Sequence, residues 1–344
     1  MLDNRREPIL STLERRGITR RQFLKFCGAM AAVLALPATE IPVIAEALEA
    51  TPRLPIVWLE FQDCTGDTES FLRAGHRADP LVPGTTDPSI TELLLQVLSV
   101  DYHETLMAPA GTQAERSRQD AIVNHAGQYL CVVEGSVPAG AGGIYCTIGG
   151  RTALSIVQEV TGNARATIAL GSCAWDGGLA ASGSNPTGAT GVSSAVPGLA
   201  NLIALPGCPA NVVNLVATIV YFLTYDQLPP LDGQGRANFA YRRKIHSQCE
   251  RHDHYEHDRY VRAWGDHGHR MGWCLKEMGC RGPETRHNCP TVRWNGEANW
   301  PVGAGHGCIG CSEAHFWDRL SPIYQEYDDD EHDEEDDEHD EEDD

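Results

Sequence analysis

The chain has 344 residues, room for one large domain or two smaller ones with a genuine hydrophobic core, so it has no need of disulfide staples. Its apolar content of 42% is ordinary for a globular protein. Its net charge of −21 is concentrated in residues 328–344, which hold fifteen carboxylates; the body is only mildly acidic, and nothing in it suggests nucleic-acid binding.

Residues 1–50 read as an address rather than as part of the fold. Residues 19–25 (TRRQFLK) spell a twin-arginine export signal, and an apolar run, 26–36, follows. A membrane span needs about 20 apolar residues, so this run is too short to be one. Ala45 and Ala47 offer an A-x-A cleavage site, and Cys27 would leave with the apolar run.

Residues 51–235 read as α/β. Apolar strands are expected at 55–61, 128–134, 165–170 and 201–205, with helices at 68–74 and 90–98. Strands alternating with helical stretches predict a parallel sheet, and continuous apolar runs predict strands buried on both faces. Three strands run directly into cysteine loops: DCTGD at Cys64, GSCA at Cys173 and PGCP at Cys208. In open α/β sheets ligands sit beyond the carboxyl ends of the strands, so these three thiols should converge. Cys131, in mid-strand, reads as a buried small apolar residue. Cys146 lies in GAGGIYCTIGG, which lacks the lysine pattern of a phosphate loop and reads as a cofactor-free, closely packing loop, with a partner as one surface it could pack against. Residues 211–225 are expected to form a buried helix behind the Cys208 loop. Pro229 and Pro230 then break the chain, and a second domain, 236–327, follows.

That second domain holds half of the twelve cysteines: Cys249, Cys274, Cys280, Cys289, Cys308 and Cys311. Such thiol sets hold iron–sulfur clusters or zinc, whereas a disulfide framework suits small secreted scaffolds. His246 and Cys249 are three apart, on one face of a helix, and with Cys274 and Cys280 supply four ligands. Cys289, Cys308 and Cys311 supply three. Residues 251–258 (RHDHYEHD) read as a polar helix face in preference to a second metal site. His267, His269, His287, His306 and His315 show no ligand set. No Ser–His–Asp arrangement appears, nor two C-x-x-C pairs. The acidic tail reads as a solvated, disordered segment.

Three motifs here are specific in combination: H-x-x-C at 246–249, C-L-x-x-x-G-C-x-G-P at 274–283, and W-P-V-G-A-G-H-x-C-I-G-C at 300–311. With the loops at Cys64, Cys173 and Cys208 they resemble the small, electron-transferring subunit of nickel–iron hydrogenases along almost the whole chain after the leader. The resemblance implies a flavodoxin-like first domain with a proximal 4Fe-4S cluster on Cys64, Cys173, Cys208 and a fourth ligand. The family's first loop reads C-x-G-C, and Asp67 stands at its second cysteine. Either Asp67 ligates the cluster, or it caps the helix expected from Thr68. The resemblance further implies a distal 4Fe-4S cluster on His246, Cys249, Cys274 and Cys280, and a medial 3Fe-4S cluster on Cys289, Cys308 and Cys311. Pro301 lies where members with a 4Fe-4S medial centre have a fourth cysteine. Gly66 and Gly178 lie where oxygen-tolerant membrane-bound members have extra cysteines. The nickel–iron centre would sit in a large-subunit partner, and electrons would pass to an acceptor such as a cytochrome. Export of a folded, cluster-loaded protein suits the twin-arginine route, placing the complex in the periplasm or on the outer face of the cytoplasmic membrane. Members often carry a C-terminal membrane helix. This chain ends in acids, so membrane attachment would come through a partner. The competing readings are a stand-alone iron–sulfur carrier, a quinone-oxidoreductase subunit, which would lack the second cluster domain, and a zinc-stabilised structural protein.

Overall fold

The computed structural model describes residues 13, 15, 18–50, 53–73 and 98–325. The helices that matter below are α1 (Arg20–Val33), α2 (Ile41–Ala50), α3 (Gly66–Leu72), α4 (Thr112–Asn124), α5 (Ala153–Gly162), α6 (Gly171–Asp176) and α7 (Val212–Tyr225). Five strands, β1 (Leu54–Glu60), β2 (Leu98–His103), β3 (Leu130–Glu134), β4 (Ala166–Leu170) and β5 (Leu202–Leu205), form one parallel sheet in the order β2-β1-β3-β4-β5. This is the flavodoxin-like order, and its reversal at β1/β3 opens a crevice at the carboxyl ends of the strands.

Every residue of β1, β3 and β4 is buried, as strands covered on both faces require. The period-2 alternation of a strand then sorts the side chains into two cores. Ile56, Trp58, Leu130, Val132 and Ile168 pack with α7 on one side. Val57, Leu59, Cys131 and Val133 pack with Ile156, Val157 and Val160 of α5 on the other. Cys131 is thus the buried apolar residue expected of it. The four expected strands are present within a residue or two. Edge strand β2 departs from the sequence expectation, because LSVDYH carries Ser and Asp and is only partly buried. Of the helix expected at 90–98, all but Leu98 lies outside the described residues, and Leu98 opens β2. The helix expected at 68–74 begins two residues earlier.

Helix α7 is apolar nearly all round, as a helix buried on several faces must be. The Asn211 side chain caps it by accepting the Val213 N–H at 2.9 Å. Residues 20–50, expected as a mere address, are folded: α1 and α2 form a hairpin that packs on α7. Among the described residues no helix is long and apolar enough to cross a membrane. The acidic tail, 328–344, lies outside the described residues.

From residue 236 the chain turns to short helices and irregular loops around a small core of Ile245, Val261, Leu275, Met278, Trp300 and Val302. Buried polar contacts fix this part to the sheet domain. Arg236 donates to the Ser312 carbonyl at 3.0 Å and to Glu313 at 3.2 Å. The amides of Asn214 on α7 and Asn288, next to Cys289, exchange hydrogen bonds of 3.0 and 2.9 Å. The Tyr241 hydroxyl donates to the Pro206 carbonyl at 2.7 Å, just before the Cys208 loop.

Candidate metal-cluster sites

All twelve cysteines are free thiols, which removes the disulfide framework. The first site forms where the sheet order reverses. Cys64, Asp67, Cys173 and Cys208 line one hollow with Glu134, Ser172 and Pro209. Each loop leaves its strand sharply. Gly171 takes φ +81, and a Cβ there would stand 2.1 Å from Asp67 Oδ2, so only glycine lets the Cys173 loop approach the Cys64 loop. A Cβ on Gly178 would come 2.8 Å from Cys173 Sγ, and one on Gly66 3.1 Å from Cys64 Sγ. Both glycines thus border the thiols directly.

Asp67 is not the helix cap. It lies one residue inside α3, whose cap position is Thr65 in left-handed backbone with no side-chain bond. The capping acceptor is Glu134 at the end of β3: its Oε1 accepts the N–H groups of Asp67 at 3.0 Å and Thr68 at 3.1 Å. Glu134 is itself held by Trp58 Nε1 at 3.0 Å and the Thr68 hydroxyl at 2.5 Å. The Asp67 carboxyl turns the other way and accepts the Ala210 N–H at 2.5 Å, joining the first loop to the Cys208 loop. Burial, and then the Glu134 charge, push its pKa up to about 8. Burial likewise pushes Cys173 up to about 12 and Cys208 to about 11, with neighbouring thiols and Asp67 adding to it. Acids crowded this closely raise one another's pKa, and a cation in their midst would let them ionise together.

The second hollow is lined by His246, Cys249, Cys274 and Cys280. His246 and Cys249 sit together as expected, but through a 3₁₀ turn, His246–Gln248, in place of an α-helix; three residues per turn still align them. The Arg251 N–H donates to Cys249 Sγ at 3.4 Å, and its guanidinium, buried against the same hollow, is held by the Trp273 carbonyl at 2.8 Å. Burial pushes Cys249 up to about 11 while Arg251 pulls the other way. In the sequence Arg251 reads as part of a polar helix face, and the one signal of its role is its position two residues after a cysteine. His252 lines the hollow too, and the His246 ring stands edge-on to Tyr255 at 4.6 Å.

The third is a cavity of about 410 Å³ lined by Cys289, Cys308, Cys311, Pro301, Trp294 and Trp300 among others. It has room for an inorganic cluster. Burial pushes Cys289 up to about 12 and raises Cys308 and Cys311 as well. His287 also lines it; burial and the Arg236 charge lower its pKa to about 3, so it stays neutral.

The three sites are joined in a line. Cys208 and Cys311 line the same cavity, and Ser172 Oγ, from the first hollow, donates to the Cys311 carbonyl. The Cys308 N–H donates to Cys280 Sγ at 3.2 Å. A tetrahedral zinc with bonds of about 2.3 Å would draw its sulfurs within roughly 4 Å of one another. Among the described residues no three cysteines lie within 4.8 Å; Glu60, Asp63 and Glu134 are the group that does. Thiols ringed around a hollow fit a multi-iron cluster better than one zinc ion.

Residues 241–324 match the family described as the C-terminal part of the NiFe/NiFeSe hydrogenase small subunit, and residues 64–222 match NADH ubiquinone oxidoreductase, 20 Kd subunit. The chain is 42% identical over 313 residues to the quinone-reactive Ni/Fe-hydrogenase small chain of Wolinella succinogenes, covering 90% of this chain and 85% of that one. It is 42% identical over 314 residues to the periplasmic NiFe hydrogenase small subunit 1 of Nitratidesulfovibrio vulgaris, covering 91% and 95%. The reduced NiFeSe hydrogenase of Desulfomicrobium baculatum shares its fold, with a TM-score of 0.71, 30% identity, and coverage of 80% of this chain and 100% of that one. A quinone-oxidoreductase subunit would account for the sheet domain alone. With the second domain matched as well, the chain belongs to the small, electron-transferring subunits of the nickel–iron hydrogenases.

Proposed function

We propose that the three sites hold a proximal 4Fe-4S, a medial 3Fe-4S and a distal 4Fe-4S cluster, which pass electrons singly from hydrogen oxidation in the large subunit to an outside acceptor. The observation that carries this reading is the pair of hydrogen bonds linking Ser172, beside Cys173, to Cys311 and Cys308 to Cys280, which strings the sites in one order. Bound clusters supply one-electron steps; the chain's part is to space, bury and charge-balance them. Cys64, Cys173, Cys208 and Asp67 would hold the first, Cys289, Cys308 and Cys311 the second, and His246, Cys249, Cys274 and Cys280 the third. The chain contains no thiolate set for nickel, so a large subunit must cover the proximal face. Ile144 and Tyr145, 63% and 54% exposed after β3, and Leu179, 55% exposed on the short helix Gly178–Ala181 after β4, are the apolar residues that partner would bury. Native purification under anaerobic conditions tests this: the chain should come with a nickel-bearing partner, and Tyr145→Asp should weaken the pair. Hydrogen oxidation by the chain alone would overturn it.

Arg251 tunes the distal end in this reading. Its buried positive charge favours the reduced cluster, so Arg251→Gln should lower the distal potential by roughly 50 mV, near the 59 mV of a tenfold one-electron change. Redox titration of the distal signal checks this; an unchanged potential would mean that the guanidinium only props the loop.

Export by the twin-arginine route to the periplasmic side belongs to the same reading, resting on Arg20 and Arg21 ahead of the apolar run. Arg20→Lys with Arg21→Lys should leave active complex in the cytoplasm, as cell fractionation would show. Undiminished periplasmic activity would count against it.

A further inference from the structure

The leader is folded onto the finished subunit. In α1 the buried residues are Phe23, Phe26, Cys27, Met30 and Ala31, one stripe at helical spacing. In α2 they are Ile44, Ala45 and Leu48. These side chains share one core with Leu215, Ile219 and Phe222 of α7 and with the sheet beneath. The hairpin is built as a unit. Thr19 and Gln22 form a capping box at its start, a Gly28 Cβ would meet Ile41 Cδ1 at an ordinary 3.6 Å, and at its turn Glu40 accepts the Tyr225 hydroxyl at 2.6 Å, pinning it to the end of α7. Arg20, Arg21, Leu24 and Lys25 are on the outside.

We propose that the apolar face of α7 is the docking surface for the chain's own leader, which stays folded there until it is pulled away. Docked, the leader hides its apolar run and keeps residues 45–47 helical with Ala45 buried, while Arg20 and Arg21 remain in reach of a receptor. A peptidase that takes an extended strand would meet that segment only after the hairpin opens, a local unfolding step that leaves the sheet domain intact. The docking stands on the packing; only its consequence for export rests on the twin-arginine reading above.

Cys27 reports on the docking. It is fully buried at the centre of the contact, and burial holds its pKa up at about 12, so the thiol is protected twice. The test uses the full-length chain with its large subunit, purified anaerobically before leader removal, and treated with N-ethylmaleimide. Mass spectrometry of the Cys27 peptide gives the rate, and a synthetic peptide of residues 1–50 sets the unprotected rate. Docking predicts labelling at least about tenfold slower in the complex than in the peptide, the ratio reporting the fraction of time the hairpin is open. Phe23→Asp with Ile44→Asp should bring the rate up to that of the peptide. Equal rates for the wild-type complex and the peptide would overturn the docking. So would continued protection in the double variant, since the contact with α7 would then not be what hides Cys27. Should the double variant fail to accumulate, the comparison of complex with peptide still decides. Arg20→Lys with Arg21→Lys should leave Cys27 protected whatever it does to export, so the two readings fail separately.

Discussion

Asp67→Ala is expected to leave the proximal cluster with a labile corner: less iron per complex, an altered resonance and a shifted potential. Asp67 lines the hollow with Cys64, Cys173 and Cys208, and its neighbour Glu134 already caps α3. The carboxyl is therefore not occupied in holding the helix. Its one hydrogen bond within the site is from the Ala210 N–H, and losing that partner costs about 1–3 kcal/mol. Stability alone would not separate a ligand from a strut, so iron content and potential must be read. A carboxylate is a harder donor than a thiolate and favours the more oxidised iron. Asp67→Cys should therefore assemble normally as an all-thiolate site with a different potential. Because Asp67 holds a proton up to about pH 8 in the iron-free chain, iron binding there should also release that proton. In that iron-free state the raised pKa makes the fold less stable as pH rises from the ordinary carboxyl range through about 8. An Asp67→Ala protein with four proximal irons and an unchanged potential would assign Asp67 to the Ala210 contact alone.

Pro301→Cys should convert the medial site. Pro301 lines the cavity with Cys289, Cys308 and Cys311 and has no donor to offer. A thiol at that position would supply the fourth ligand, so the 3Fe-4S resonance of the oxidised protein should vanish, iron should rise by one per complex, and the medial potential should fall by on the order of 100 mV. Wild-type protein without a 3Fe-4S resonance would contradict the medial assignment outright.

The cysteine loops were legible because strand, glycine and thiol follow one another in the sequence, and the sheet's parallel geometry then forces the loops to one end. Ligand spacing in the second domain was legible for a similar reason, since His246 to Cys249 and Cys308 to Cys311 are local. Contacts between distant segments were not. Glu134 reads in sequence only as a carboxylate ending an apolar strand, and nothing local says that it caps a helix nearly seventy residues earlier. Arg251 hides in a run of charges, and its burial depends on how the loop at Trp273 closes over it. Strand β2 is an edge strand and lacks the apolar run that marked the other four. The leader's apolar run was visible, but its stripe and the face on α7 that receives it were not, since the apolar residues of α7 are equally well explained as core.

The relay itself is tested most directly by admitting hydrogen to the anaerobically purified complex while its visible absorption and paramagnetic resonances are followed. Hydrogen should bleach the complex and reduce three distinct clusters. The small chain freed of its partner should keep its colour under hydrogen and lose it only to a chemical reductant. A complex without visible absorption, or a lone small chain that hydrogen bleaches, would contradict the account.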